Sequence, residues 1–194
     1  DVKLPFHTIP VGIVFKGEVC ITISFHKTEM LSDFVTYTKR KNIDIKDNFD
    51  LVLKLLLSSS VWFLKYLKQV NQKIKLAEDN LEKSIKNEEL QALLQIEKCL
   101  VFFMTSLKGN DILLHRIKNI KSQREHFDLD LLEDVEIELR QAQETTNIYS
   151  DILTGTMDAY ASVISNNMNT IMKQMTSISI ILMIPTLIAS LYGM

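Results

Sequence analysis

The chain of 194 residues carries 22 Lys and Arg against 24 Asp and Glu, a formal net charge of −2. That balance lacks the basic excess by which nucleic-acid binders neutralise phosphate, so no nucleic acid is expected as a partner. Charged residues make up 24%, yet mean hydropathy is slightly positive at +0.07, as for a soluble body joined to one very apolar segment; 5 Gly and 3 Pro favour long helices over turn-rich β architecture.

Cys20 and Cys99 lie far apart without Cys-x-x-Cys spacing and read as reduced thiols of a cytosolic body. The chain opens at Asp1 with neither Met nor a signal peptide and is read as a fragment. Over residues 9–25, Val11, Ile13 and Phe15 lead into Lys16-Gly17-Glu18, and Val19, Ile21, Ile23 and Phe25 alternate beyond it, predicting a β-hairpin. A lone hairpin is marginal in water, so it is expected to be the remnant of an α/β cytoplasmic domain over 1–46. Residues 29–40 predict a short helix packed on that sheet through Met30, Leu31, Phe34 and Val35.

From Asp47 the period lengthens. Asp47 is a candidate cap for a helix whose stripe runs through Val52, Leu56, Phe63, Leu67, Val70, Ile74, Ala77, Leu81 and Ile85. A turn is expected at Lys86-Asn87. A second helix follows, with Leu90, Leu93, Leu94, Val101, Met104 and Leu107 facing the first and an interruption near Gly109-Asn110. Residues 47–126 thus predict an antiparallel helical hairpin. The fold class is α+β, predominantly α.

Asp130-Leu-Leu-Glu133 has capping-box character, and no proline follows until Pro185. Residues 130–191 are therefore expected to be one nearly unbroken helix, about 90 Å long, with a heptad-like stripe at Met157, Tyr160, Ile164, Met168, Ile171 and Met175 and one weak point at Gly155. Such a helix needs lateral partners, so 127–174 is read as a stalk packed on copies of itself or on other helices.

After Lys173 no charge occurs, and 21 residues of this kind are long enough to cross a bilayer. Residues 175–194 are read as a transmembrane helix with Lys173 at its cytoplasmic edge. Asn169, Met172, Met175, Ser179, Met183, Thr186 and Ser190 recur three or four apart and gather amide, thioether and hydroxyl groups on one face. Periodicity leaves open whether that face is a helix-packing seam or a pore lining.

The run Ser165-Asn-Asn-Met-Asn169, then Met183-Ile-Pro185-Thr-Leu-Ile188-Ala, then Tyr192-Gly193-Met194 resembles the first transmembrane helix of the CorA family of magnesium channels, which closes with Tyr-Gly-Met-Asn. The chain stops one residue short of that asparagine, and Pro185 stands one place later than the family pattern. The resemblance is specific over 165–194 and reaches upstream in layout, through Asp134, Asp151 and Asp158-Ala-Tyr160. It implies a homopentameric Mg²⁺ channel subunit in the cell (inner or plasma) membrane, most of the chain being cytoplasmic. It places Asn169, Met172, Met175, Ser179 and Met183 along the pore and Tyr192, Gly193 and Met194 at the outer mouth. Counted back from Asn169, Asp134 matches the family's stalk carboxylate for regulatory Mg²⁺, by which cytoplasmic divalent cation gates the channel. Mg²⁺ is then both cargo and regulator, with no prosthetic group, and the partners are further copies, the lipid bilayer and divalent cations.

The competing expectations are a coiled-coil tethering protein on a C-terminal membrane anchor, and a Co²⁺, Ni²⁺ or Zn²⁺ transporter of the same superfamily. An enzyme is not expected. His7, His26, His115 and His126 are dispersed, and no phosphate loop or nucleophile motif is present. Trp62, Phe63, Tyr66, Phe102 and Phe103 read as helix core, and the charges of Lys65–Lys86 as a solvated face.

Overall fold

The computed structural model describes residues 4–17, 19–83, 87–120 and 128–193. Of the positions expected to matter, Glu18, Ile85, Lys86, His126 and Met194 lie outside these residues. The architecture is α+β and mostly α, in the order β1 (Val11–Lys16), β2 (Val19–Ser24), α1 (Glu29–Lys41), α2 (Asn48–Lys83), α3 (Asn87–Lys118) and α4 (Leu129–Leu191).

The strands pair antiparallel, with Val11 opposite Ser24 and Lys16 opposite Val19, and Gly17 turns the chain at φ +61°. This register puts the two apolar sets on opposite faces. Val11, Ile13 and Phe15 share one face with Cys20, Thr22 and Ser24, while Val19, Ile21 and Ile23 are exposed on the other. Apolar residues on both faces are the pattern of a sheet covered on both sides.

Thr28 caps α1, its Oγ1 accepting the Leu31 N–H at 3.2 Å, and Asn42 ends the helix in the left-handed region at φ 48°. The helix lies against α2. Met30, Leu31 and Phe34 are half-buried while Val35 is exposed.

Asp47 caps α2 as expected, its Oδ1 accepting the Asp50 N–H at 2.8 Å. The α2 stripe then buries Leu56, Leu67, Val70, Ile74, Ala77 and Leu81. On α3 the expected stripe is partly rotated. Leu93 and Leu107 are buried with Ile96, Cys99, Leu100, Phe103 and Leu114, whereas Leu94 and Val101 face outward. The expected interruption at Gly109-Asn110 is absent. Leu107 and Leu114 remain in register with the core on either side, and Asn110 Nδ2 donates to Ser59 Oγ on α2 at 3.4 Å. Phe63, Phe103, Tyr66 and Phe6 form a chain of ring contacts, with Phe63 edge-on to Phe103 at 5.3 Å; Phe102 is exposed.

The chain divides into two compact units, Asp1–Leu153 and Thr154–Met194. The first 25 residues of α4 belong to the first unit. There Val135, Leu139, Ala142, Thr146 and Leu153 are buried, and Val135, Leu139 and Ala142 join a cluster with Leu53, Leu107 and Leu114. α3 and this part of α4 run antiparallel, since Lys118 Nζ pairs with Glu136 while Gln143 Nε2 donates to Leu107 O at 3.3 Å. The cap of α4 is Asp128 rather than the expected Asp130: its Oδ1 accepts the Leu131 N–H at 3.2 Å, which starts the helix at Leu129.

Candidate ion pathway

The second unit, taken by itself, is the remainder of α4. Its helix passes Gly155 without a break and continues through Pro185 to Leu191. From Ser165 to Gly193 every described side chain is exposed, including Ile178, Ile181, Leu182, Met183 and Leu187, each more than half accessible. Apolar exposure on this scale is untenable in water, and it fits a helix whose surroundings are hydrocarbon or other helices. α3 is also long and apolar enough to cross a membrane, but its Leu93, Ile96, Leu100, Phe103, Leu107 and Leu114 are buried in the core of the first unit.

At about 100° per residue, Asn169, Met172, Met175, Ser179, Met183, Thr186 and Ser190 fall within roughly a third of the helix circumference. Ile178, Ile181, Ile184 and Ile188 fall outside that arc. Asn169, Met172, Met175, Ser179 and Met183 are all exposed, and Met183 reaches 67%.

The hydroxyls are locally satisfied. Thr170, Thr176, Ser177 and Ser179 donate to the carbonyls four residues back, at 2.8–3.0 Å. Thr186 Oγ1 lies 2.8 Å from Met183 O and 3.2 Å from Leu182 O, one turn from the donor that Pro185 lacks. Each of these hydroxyls therefore spends its proton on the backbone. Their oxygens keep lone pairs, so on the arc Ser179 and Thr186 present acceptors.

At the far end, Tyr192 N–H donates to Ile188 O at 3.1 Å, and Gly193 follows at φ +72° with its N–H 3.4 Å from Ser190 O. Gly193 thus terminates α4 in the left-handed region, which a residue with a Cβ enters only with strain. Tyr192 is 79% exposed, and the third signature residue, Met194, is outside the described residues.

Asp134 is exposed on the first unit's part of α4, beside exposed Glu133. Among the described residues no three His, Cys, Asp or Glu side chains converge on a metal position. Two features near the start of α4 escaped the sequence. Lys46 Nζ pairs with Asp128 Oδ2 at 3.0 Å, joining the α1–α2 connection to the cap of α4. Asp50 is buried, its Oδ2 accepting from Lys46 N at 2.9 Å and Lys54 Nζ at 2.7 Å. Cys99 is also buried, its Sγ donating to Phe6 O at 3.0 Å, and burial pushes the thiol upward, away from nucleophilic character.

The family model described as CorA-like Mg²⁺ transporter protein matches residues 2–194. A curated relative, the cobalt/magnesium transport protein CorA of Methanocaldococcus jannaschii, is 26% identical over 196 residues, covering 96% of this chain and 60% of the relative. The protein of the same name from Thermotoga maritima is 27% identical over 129 residues, 66% of this chain and 37% of its own length. The chain therefore spans about three fifths of the first of these relatives. Among solved structures, the complete CorA magnesium transporter of M. jannaschii superposes with a TM-score of 0.72 at 23% identity, over 96% of this chain and 64% of that one. Its soluble domain alone superposes with a TM-score of 0.55 at 20% identity, over 77% of this chain and 67% of the domain.

Proposed function

The chain belongs to the family of CorA-like Mg²⁺ transporter proteins, and on that premise we propose that it supplies the stalk and the pore-lining helix of a homo-oligomeric, pentameric channel for hydrated Mg²⁺. The observation that carries this reading is the arc on α4. Mg²⁺ gives up its water shell reluctantly, so a hydrated ion offers water protons and needs acceptors. Asn169 contributes an amide oxygen. Ser179 and Thr186 contribute hydroxyl oxygens whose protons are already committed to Met175 O and Met183 O. Met172, Met175 and Met183, repeated around a symmetric pore, make apolar constrictions that close by dewetting. Gly193 positions the turn at the outer mouth, with Tyr192 and Met194 beside it. The chain is a membrane protein rather than an enzyme, with its first unit on the cytoplasmic side.

Asp134 is the regulatory carboxylate in this proposal. Mg²⁺ retains most of its waters when protein-bound, so Asp134 with one oxygen from a neighbouring copy suffices to hold it and to offset repulsion between subunits. High cytoplasmic Mg²⁺ then favours the closed state. The cargo is Mg²⁺ or, as the relatives' names also say, cobalt.

The test is Mg²⁺ uptake by the whole protein in cells lacking their own Mg²⁺ transporters. Uptake blocked by cobalt hexaammine, which mimics the hydrated ion, and abolished by Gly193→Val supports the proposal. Stable membrane insertion without uptake contradicts it and leaves the membrane-anchored tether.

A further inference from the structure

The histidines are dispersed along the sequence, but the fold brings two of them together. His7, on the segment leading into β1, and His26, between β2 and α1, stand edge to face with ring centroids 6.4 Å apart at 86°. Both are exposed, and among the described residues neither ring has a hydrogen-bond or ion-pair partner. His115, by contrast, lies alone on α3 beside Asp111. The backbone around the pair is anchored. Phe6 O accepts from Cys99 Sγ at 3.0 Å and Thr8 Oγ1 from Ser106 Oγ at 2.8 Å, so both neighbours of His7 are tied to α3. Ser24 Oγ donates to His26 O at 2.8 Å, and Thr28 caps α1 just beyond. Two imidazoles with free nitrogen lone pairs are thus held on preorganised backbone, which lowers the ordering cost of a shared ligand.

We propose that His7 and His26 form a chelating site for a divalent transition cation of the Co²⁺, Ni²⁺ or Zn²⁺ class, with water completing the coordination shell. Imidazole nitrogen suits these ions, whereas Mg²⁺ prefers oxygen ligands and keeps its water. With metal–nitrogen bonds of about 2.0–2.1 Å, two rings sharing a tetrahedral ion stand roughly 5 Å apart. Rotation of the two exposed side chains closes the remaining distance. Among the described residues no third ligand converges on the pair, so the ion keeps open positions and exchanges, unlike a closed structural site. Lys27 and Glu29 follow close along the chain and cancel in charge, which leaves the choice of ion to the two nitrogens. A bound ion joins the segment before β1 to the connection between β2 and α1. The site lies in the first unit, away from the arc on α4, and does not rest on the channel reading.

Zn²⁺ binding by the whole protein, purified in detergent with Cys20→Ser and in excess Mg²⁺, tests this. The Mg²⁺ fills oxygen-lined sites and leaves imidazole free. Titration calorimetry should find a Zn²⁺ site that His7→Ala and His26→Ala each weaken on the order of a hundredfold, since a single imidazole loses the chelate. His115→Ala and His126→Ala should leave it unchanged. Pulsed EPR with Cu²⁺ in place of Zn²⁺ should show nitrogen from two imidazoles in the parent protein and from one in either variant. Zn²⁺ affinity that survives both His7→Ala and His26→Ala overturns the proposal. So does loss in only one of them, which marks a single-histidine contact. No Zn²⁺ binding in excess Mg²⁺ also overturns it and leaves the two rings as an aromatic contact.

Discussion

Lys46 Nζ lies 3.0 Å from Asp128 Oδ2 across 82 residues of sequence, while the other oxygen of the same carboxylate caps α4. One side chain thus both starts the long helix and ties its start to the α1–α2 connection. The hydrogen bond to Lys46 is the largest cause holding the Asp128 carboxyl below its ordinary range, with the Leu131 N–H next, and the same contact raises Lys46. Both groups are at the surface, so the tie matters more for where α4 begins than for global stability.

Its pH dependence follows from the two directions. A lowered carboxyl contributes stability above its unfolded value and loses it as pH falls through the folded one, in the acid range below about 4. A raised lysine contributes below its unfolded value and loses it as pH rises past about 10.4. Protection of the amides in the first turn of α4, relative to the intrinsic exchange rate at each pH, should therefore be high at neutral pH and fall in acid. Asp128→Ala should lower it at neutral pH. Asp128→Asn, which keeps a capping oxygen, should retain partial protection and lose the acid step.

Leu139 is buried in the cluster that binds α4 to the helical pair. Leu139→Ala should destabilise the protein by about 2–5 kcal/mol, the range for a buried leucine replaced by alanine. Ile137→Ala, exposed on the same helix, should cost the unassembled chain under about 0.5 kcal/mol. Chemical denaturation of both variants, at a concentration where the chain is unassembled, checks the contrast.

Met183 is the apolar arc position nearest the outer mouth among those placed on the pore. Met183→Ala should widen that constriction and raise Mg²⁺ flux at high internal Mg²⁺ several-fold, measured with an indicator dye in proteoliposomes. Unchanged closure would move the gate elsewhere on α4.

Asp134→Ala should remove the Mg²⁺-dependent protection from protease digestion that the proposed inter-subunit cation confers, and should leave the channel active at internal Mg²⁺ that closes the wild type. Unaltered protection and closure would return Asp134 to an ordinary solvated position.

The sequence was most legible where one local rule decides. Asp47 before an apolar period gave the α2 cap, and the charge-free run after Lys173 continues one helix as far as Leu191. It misled where two answers satisfy one rule. Leu94 and Val101 share heptad spacing with Leu93, Leu100 and Leu107, and spacing alone does not say which seam a helix buries. Asp128 and Asp130 are both credible caps, and only the Leu131 N–H chooses between them. Gly109 lowers helix propensity, but packing of Leu107 and Leu114 on either side outweighs the roughly 1 kcal/mol at stake. The Lys46–Asp128 and Ser59–Asn110 contacts link distant elements and leave no sequence signal. Gly193 was recognised through a resemblance; its physical reason is the left-handed end of α4.

The central claim is that one arc of α4 faces a water-filled ion path. Cysteines introduced one at a time in a Cys20→Ser background, in membrane vesicles, test it most directly. Ser179→Cys and Thr186→Cys should react with a water-soluble thiol reagent, and the reaction should block Mg²⁺ uptake. Ile181→Cys and Ile188→Cys, on the opposite side, should remain unreactive with uptake intact. Equal inertness at all four positions, or reaction without any effect on uptake, would contradict the account.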